Sequence, residues 1–406
     1  MSNMNYMENL LEGVKVEWKP LADIAEIYGG LTGKSKIDFE SGNAKYISYK
    51  NIFNNIDVDP SQLELVKVSE NERQHKVRYG DILFTGSSEI AIEAGMSSAV
   101  TIDFKEPVYL NSFSFGVRFN NNVKLMPEFS KYLFRSRLMR AEIAKSASGV
   151  TRFNVSKARF KKILVPIPCP DNPEKSLAIQ AEIVRILDAF TALIAELTAE
   201  LNMRKKQYNH YQFELLKLTE TTQQLSIGEC CDIKKGVTPI KKATPGKYPL
   251  VATTEERQSS SEYQFDCPAV CVPLISSRGH GVASIDRIYY QDGKFALGNI
   301  LCAIIPNDSE VLSAKFLRYY LFDKKDVLLV SLMRGGANVS LTIDSLKKVK
   351  IPVPPIAEQQ RIVRALDKFD EFVKALPSEI ELRQRQYAYY RDLLLSFPQS
   401  HSDKAV

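Results

Sequence analysis

Four short loops hold the side chains of this chain best suited to reading the polar edges of another molecule. Thr85-Gly-Ser-Ser88 and Ser148-Gly-Val-Thr-Arg-Phe-Asn154 lie in the first half of the sequence, Ser276-Ser-Arg-Gly-His280 and Arg334-Gly-Gly-Ala-Asn338 in the second. Arg and Asn form bidentate hydrogen bonds with guanine and adenine edges, small hydroxyls serve phosphates or bases, and Gly lets the backbone approach closely. The candidate contact residues are therefore Thr85, Ser87, Ser88, Ser148, Gly149, Thr151, Arg152 and Asn154, then Ser276, Ser277, Arg278, His280, Arg334, Gly335 and Asn338. Arg152 and Arg334 lead the list as base or phosphate contacts. A Gly-rich loop is also an ordinary turn. What favours reading is recurrence: Ser148-Gly-Val aligns with Gly335-Gly-Ala.

Other chemistry is missing. Gly29-Gly-Leu-Thr-Gly-Lys-Ser35 has the look of a phosphate loop, but the motif needs Gly five residues before Gly33 and Tyr28 stands there. No Asn/Asp-Pro-Pro-aromatic segment of an adenine methyltransferase, no His-Glu-x-x-His pair and no Gly-x-Ser-x-Gly elbow occurs, and the four His are scattered. The six Cys lack zinc-ribbon spacing; Cys267 and Cys271, with His280 beyond them, read as reduced thiols, so no metal is expected. No apolar run is long enough to span a membrane and no signal pattern opens the chain, so a soluble, cytoplasmic protein is expected. The sequence reads as a reader without catalytic residues of its own.

The elements that must hold these loops occur twice. Lys161-Lys-Ile-Leu-Val-Pro-Ile-Pro168 returns as Lys347-Lys-Val-Lys-Ile-Pro-Val-Pro354. Ile183-Val-Arg-Ile-Leu-Asp188 returns as Ile362-Val-Arg-Ala-Leu-Asp367, and Met203-Arg-Lys-Lys-Gln-Tyr208 as Leu382-Arg-Gln-Arg-Gln-Tyr387, both at a shift of 179 residues. That period is a domain plus a helix, far longer than a solenoid repeat. The first run has an apolar seam at Ile183, Leu187, Phe190, Ile194, Leu197 and Leu201, the second at Ile362, Leu366, Phe369, Val373, Leu376 and Ile380. Steps of four and three are the heptad pattern, so the two helices are expected to pack on each other. Arg204 and Arg383 interrupt the seams at matching places, and Pro377 predicts a kink or break in the second helix. Tyr6-Met-Glu-Asn-Leu-Leu11 resembles the helix ends Tyr211-Gln-Phe-Glu-Leu-Leu216 and Tyr390-Arg-Asp-Leu-Leu-Leu395, making the repeat circular and predicting a pseudo-twofold axis.

Net charge is +6 at pH 7. Residues 177–218 carry five charges of each sign and residues 356–397 seven of each, so the positive excess falls in the regions between, where a basic surface suits nucleic acid. The expected organisation is a helix remnant at 1–16, a domain at 17–168, a helix at 169–221, a second domain at 222–354, a helix at 355–398 and a flexible tail at 399–406. Each domain is expected to be α+β, with strands around Val77–Phe84, Ala269–Ile275 and Ile300–Ile305 and helices near 127–145 and 313–331. Two domains with shared edges and divergent interiors fit two readers of different sequences.

The spacer motifs, above all Lys162-Ile-Leu-Val-Pro-Ile-Pro-Cys-Pro-Asp-Asn-Pro-Glu-Lys-Ser-Leu-Ala-Ile-Gln180, Thr198-Ala-Glu-Leu201 and Pro354 through Phe397, resemble the specificity subunit of type I restriction–modification enzymes, particularly the IC family. The resemblance implies two target-recognition domains separated by an antiparallel coiled-coil pair that acts as a ruler on bipartite, asymmetric double-stranded DNA. It implies two methyltransferase subunits and motor-nuclease subunits as partners, with S-adenosylmethionine, ATP and Mg on those subunits and no cofactor here. Arg185 and Arg364, at equivalent places off the seam, are the expected partner contacts. Two alternatives remain at this point: a specificity subunit serving a fused methyltransferase-nuclease, and a coiled-coil scaffold that binds no DNA.

Overall fold

The computed structural model describes residues 10–218, 222–240, 243–254, 258–278 and 281–398. The copy of the helix end expected at Tyr6–Leu11 falls mostly outside them, and His280 and the whole of the expected tail, 399–406, lie outside them. Residues 10–13 form a turn rather than a helix. Two long helices, Pro173–Leu215 and Ile356–Leu394, dominate the chain, 43 and 39 residues long. At 1.5 Å per residue they measure about 64 and 58 Å. The second passes through Pro377 without interruption, contrary to the expected break. Pro377 is exposed, and what it removes is the one helix bond its N–H would give to the Val373 carbonyl. The chain divides into two compact units, one holding residues up to Leu197 and from Glu379 onward, the other Thr198–Ser378.

In the first unit, β1 (Val16–Pro20) pairs antiparallel with β13 (Leu164–Pro168), joining the two edges of the domain. One four-stranded sheet has the order β2 (Ala25–Gly29), β10 (Ser114–Phe119), β6 (Ile82–Thr85), β8 (Ser97–Ala99). A second has the order β4 (Glu64–Val66), β3 (Ala44–Ile47), β9 (Val108–Leu110), β5 (Lys76–Val77), with β3 and β9 parallel. The single strand expected over 77–84 is thus two, split by a turn in which Gly80 takes φ +85°. A three-stranded patch, β11 (Ala147–Ser148), β12 (Phe153–Val155), β7 (Ser87–Ser88), carries two of the candidate loops. Helices α1 (Pro127–Leu133), α2 (Arg137–Ser146) and α3 (Lys157–Phe160) cover the first sheet.

The core of this unit centres on Phe84, with Phe134 and Phe160 edge-on at 5.3 and 5.0 Å. Ile183 and Leu187 of the long helix are fully buried in the same cluster, as are Leu394 and Phe397 nearly so. Burying each such side chain stabilises the unit by about 1.5–3 kcal/mol. Phe190 stacks on Tyr390 at 5.3 Å, so the starting half of one long helix lies against the ending half of the other.

The second unit repeats this plan. β14 (Gln224–Ser226) pairs with β23 (Lys350–Pro352). One sheet has the order β15 (Cys231–Lys235), β22 (Leu301–Pro306), β19 (Ala269–Pro273), β20 (Tyr289–Gln291). The other has the order β17 (Gln258–Ser260), β16 (Tyr248–Val251), β21 (Lys294–Leu297), β18 (Phe265–Asp266), and β16 and β21 form its parallel pair. Helices α4 (Ala314–Asp323) and α5 (Ile343–Lys347) stand where α1 and α3 stand in the first unit. Ile362 and Leu366 are fully buried, and Tyr211 stacks on Phe369 at 5.1 Å, the same Tyr–Phe pair one period on. Towards mid-helix the seam residues Ile194, Leu197, Leu201, Val373, Leu376 and Ile380 are half-buried. The two Arg that interrupt the seams are met within their own helices, Arg204 by Glu200 at 3.3 Å and Arg383 by Glu379 at 2.8 Å.

Candidate functional site

Two contacts, made once in each unit, explain why the helix motifs recur. Gln180 and Gln359 are fully buried at the start of each long helix. The Gln180 oxygen accepts from Met126 N at 2.8 Å while its amide donates to Lys124 O at 2.8 Å and Ser176 Oγ at 3.0 Å. The Gln359 oxygen accepts from Ser313 N at 2.8 Å while its amide donates to Val311 O at 2.8 Å and Pro354 O at 2.7 Å. A primary amide satisfies a strand-like pair of backbone groups here, where burial would otherwise leave them orphaned. Two turns on, Tyr132 donates to Asp188 at 2.5 Å, and Tyr319 donates to Asp367 at 2.8 Å. Burial first, then that bond, holds both phenols well above their ordinary pKa, so each stays a donor. Lys131 pairs Asp188 at 3.1 Å, and Lys315 pairs Asp367 at 2.9 Å.

The candidate loops gather at one edge of each unit. In the first, Val155 N bonds Gly86 O and Gly86 N bonds Phe113 O, which brings the 148–154 hairpin beside Ser87 and the exposed ring of Phe113. Arg152 donates from Nε to Ser87 Oγ at 3.0 Å, and its guanidinium lies 6.0 Å from the Phe113 ring centre. One side of this pair is a cleft of about 540 Å³ that Gly30, Asn154 and Lys157 also line. The other side is a cleft of about 460 Å³ bounded by Tyr49, Phe53, Glu89 and Glu93. Thr151 and Asn154 are exposed. Thr85 is not: it is fully buried and its hydroxyl accepts from Met96 N at 2.9 Å, so the fold turns this expected contact inward. Ser88 is buried as well, its hydroxyl capping Ile90 N at 3.2 Å.

In the second unit Leu341 N bonds Leu274 O, and Leu274 N bonds Ile300 O, the same ladder as Val155–Gly86–Phe113. Ile275 and Arg334 both bridge Ser340, as Ser87 and Ser148 both pair with Asn154. Gly149 (φ +152°) and Gly335 (φ +140°) open the two hairpins, and a Cβ on either would meet the carbonyl oxygen three residues on, of Arg152 at 1.9 Å and of Asn338 at 2.2 Å. Ser148 therefore corresponds to Arg334 rather than to Gly335, a one-residue correction of the sequence alignment. Arg152 corresponds to Asn338, which is exposed.

Arg334, expected to lead, donates from Nη1 to its own segment, to Ser331 O at 2.7 Å and Met333 O at 2.9 Å. Ser276 Oγ donates to Val282 O at 2.6 Å and accepts from Arg278 N and Ser284 N, and Ser277 Oγ accepts from Asp286 N. Those two hydroxyls shape their loop. The cleft in this unit, of about 290 Å³, is lined by Thr253, Ile275, Ile300, Asp286, Arg287 and Tyr289 among others. Sequence reasoning missed Phe113, Lys157 and Arg287, which lie outside the Gly-rich segments.

Of the expected partner contacts, Arg185 is exposed and chelated by Glu182 at 2.8 and 2.6 Å, and Arg364 is exposed with Nε donating to Gln360 O at 3.2 Å. Among the described residues no helix is long and apolar enough to cross a membrane.

The model of the type I restriction modification DNA specificity domain matches residues 14–203 and again 219–382. The specificity subunit of the Escherichia coli type I restriction enzyme EcoR124I/EcoR124II is 34% identical over 98% of both chains. A putative type I restriction enzyme specificity subunit of Haemophilus influenzae is 30% identical over 98% of this chain and 99% of its own. The crystal structure of the S subunit of a type I restriction–modification system from M. genitalium superimposes with a TM-score of 0.57 at 15% identity, over 96% of this chain and 98% of that one, a likeness of fold. Two matched domains and full-length relatives identify the chain as a member of the type I restriction–modification DNA specificity family.

Proposed function

We propose that this chain is the non-catalytic, sequence-reading subunit of a type I restriction–modification complex and recognises a bipartite, asymmetric DNA target, one half-site per domain. The observation that carries this is the pairing of constancy with divergence. Gln180 and Gln359, and the Tyr132–Asp188 and Tyr319–Asp367 pairs, repeat in each unit, whereas the residues around the clefts differ in charge and size. Two readers of unlike half-sites on a common mount have this character. The long helices act as an antiparallel coiled-coil ruler related by a pseudo-twofold, and their outer faces, with Arg185 and Arg364, dock two methyltransferase subunits. Those subunits bring S-adenosylmethionine, and the motor-nuclease subunits bring ATP and Mg.

Methylation-site mapping of the complete complex tests this with two variants. Replacing residues 222–354 by the matching region of a relative changes one half-site and leaves the other; alteration of both would refute independent reading. Inserting Thr-Ala-Glu-Leu after Leu201 adds about 6 Å of helix and stays within about 40° of whole turns. The half-sites then move apart by on the order of one or two base pairs at 3.4 Å each. An unchanged spacer with activity retained removes the ruler.

A further inference from the structure

We infer that one hairpin position selects one base in each half-site: Arg152 reads a guanine for the first domain, Asn338 an adenine for the second, and Ser87 sets the plane of the arginine. This rests on the proposed role in DNA reading and assigns bases to it. The two side chains hold the same place. Ser148 pairs with Asn154 and Arg334 with Ser340, so both hairpins close over the same number of residues. Gly149 and Gly335 open them, and a Cβ on either would strike the carbonyl three residues on, that of Arg152 and that of Asn338. Each hairpin is laid against the neighbouring segment at its closing residue, Asn154 beside Ser87 and Ser340 beside Ile275. Arg152 and Asn338 are both exposed, two residues before that anchor.

The support changes with the reader. Beside Arg152 stand Ser87 and Phe113. The Ser87 hydroxyl takes Nε at 3.0 Å, and the guanidinium lies 6.0 Å from the centre of the exposed Phe113 ring. Ser87 is itself buried, and its carbonyl accepts from the Tyr49 hydroxyl at 2.9 Å. A guanidinium held at Nε beside an aromatic ring is fixed in plane, and its far edge, Nη1 and Nη2, matches guanine O6 and N7. A phosphate contact asks only for charge and has no use for such a clamp. In the second unit Ile275 and Ile300 stand in the places of Ser87 and Phe113, by the bridge to Ser340 and the bond from Leu274 N to Ile300 O. They offer neither a hydroxyl nor a ring. Asn needs neither, because its planar amide turns on fewer torsions and sets an N–H donor beside a carbonyl acceptor, the pair that adenine N7 and N6 require. Arg334, the cation of this second hairpin, is bonded back onto Ser331 and Met333.

The test is binding of the complete complex to its cognate duplex, to a panel with single-base changes in both half-sites, and to duplexes in which one purine carries C–H in place of N7. Arg152→Ala is expected to lose about 5- to 150-fold on cognate DNA and its preference at one guanine of the first domain's half-site, with the other half-site read as before. Removing N7 from that guanine should weaken the parent and leave Arg152→Ala unchanged. Arg152→Lys keeps the charge without the fork and is expected to lose the same preference. Ser87→Ala keeps the guanidinium and is expected to lose part of the preference at that same guanine without weakening binding to non-specific DNA. Asn338→Ala should lose preference at one adenine of the second domain's half-site, with the same response to loss of its N7. A uniform loss for Arg152→Ala that Lys restores would make it a phosphate contact and overturn the assignment. So would a parent complex indifferent to N7 at every guanine of the first domain's half-site, or relaxation by Asn338→Ala at a base other than adenine. If the parent complex itself distinguishes no sequence, the reading of the whole chain fails rather than these residues.

Discussion

In the first unit the central strands hold a buried ionic centre, and in the second the positions of its buried acid and arginine are apolar while a surface lysine stands for its tyrosine. Asp81 is fully buried, accepts Arg118 Nε and Nη2 at 2.8 and 2.6 Å, and also accepts the Tyr28 hydroxyl at 2.6 Å. By strand register these three positions correspond to Ala269, Ile305 and Lys234. The joint between domain and helix does the opposite, keeping Gln, Tyr and Asp in both units. The difference separates two demands. The joint must present each domain to the same helix motif, so its polar geometry is fixed; the interior only has to be filled, by an ion pair with all its partners or by apolar packing. Divergence of the interior is therefore no sign of a different fold, and constancy of the joint is the better guide to what the fold is for.

The sharpest way to break this comparison is to expose the ionic centre. Arg118→Ala strands the buried Asp81 carboxylate and is expected to cost about 3–5 kcal/mol. Ile305→Val at the matching place should cost about 0.5–1.5 kcal/mol. Trp18, the single Trp of the chain, lies in the first unit and reports its unfolding in denaturant; hydrogen exchange of β22 amides reports the second. A loss below about 1 kcal/mol for Arg118→Ala would mean that Asp81 is relieved in another way, and the contrast between the interiors would be one of composition only.

Next in size are the glutamines. Gln180→Leu leaves Met126 N, Lys124 O and the Ser176 hydroxyl without this partner, and Gln359→Leu does the same to Ser313 N, Val311 O and Pro354 O. At about 1–3 kcal/mol per buried orphan, partly recovered by water, each variant is expected to lose about 2–4 kcal/mol. The amides of Met126 and Ser313 should exchange faster in their respective variants. A costly Gln180→Leu beside a silent Gln359→Leu would show that the second joint is held by other means.

Much of this organisation was legible in the sequence, because heptad steps and a 179-residue shift survive as long as the joint does. The hairpin glycines were legible too, since their φ values admit little else. Residue-level correspondence inside the domains was not. Between Tyr132 and Ser148 the offset to the second copy changes by one residue, from Tyr319 to Arg334, and only backbone pairing across strands fixes where. Arg287 sits in a stretch without helix or strand, so no periodicity marked it. Thr85 had a suitable side chain, but it closes a strand that is buried on both faces, Ile82–Thr85. Pro377 lies on an exposed side of a 39-residue helix, which continues despite the one bond lost there.

The smallest expected effect gives the finest test of equivalence. Tyr132→Phe and Tyr319→Phe each remove one hydroxyl donor to a carboxylate. A bond to a charged acceptor is worth about 1.5–3 kcal/mol when well shielded. Here Asp188 and Asp367 retain 48% and 36% side-chain exposure and keep Lys131 and Lys315 as partners, so water and the lysines take over part of the loss. About 1 kcal/mol for each variant is the expectation. If the joints are copies of one device, the two losses should agree within about 0.5 kcal/mol and add in the double variant, the sites sharing no partner. A loss from Tyr132→Phe well above that from Tyr319→Phe would place the difference in the bond lengths, 2.5 against 2.8 Å, and in the second salt bridge that Lys131 makes to Asp57 at 3.2 Å. The joint of the first unit would then be the stiffer of the two. A domain exchange that carried the second unit's Tyr319 and Lys315 onto the first helix position would be expected to soften it.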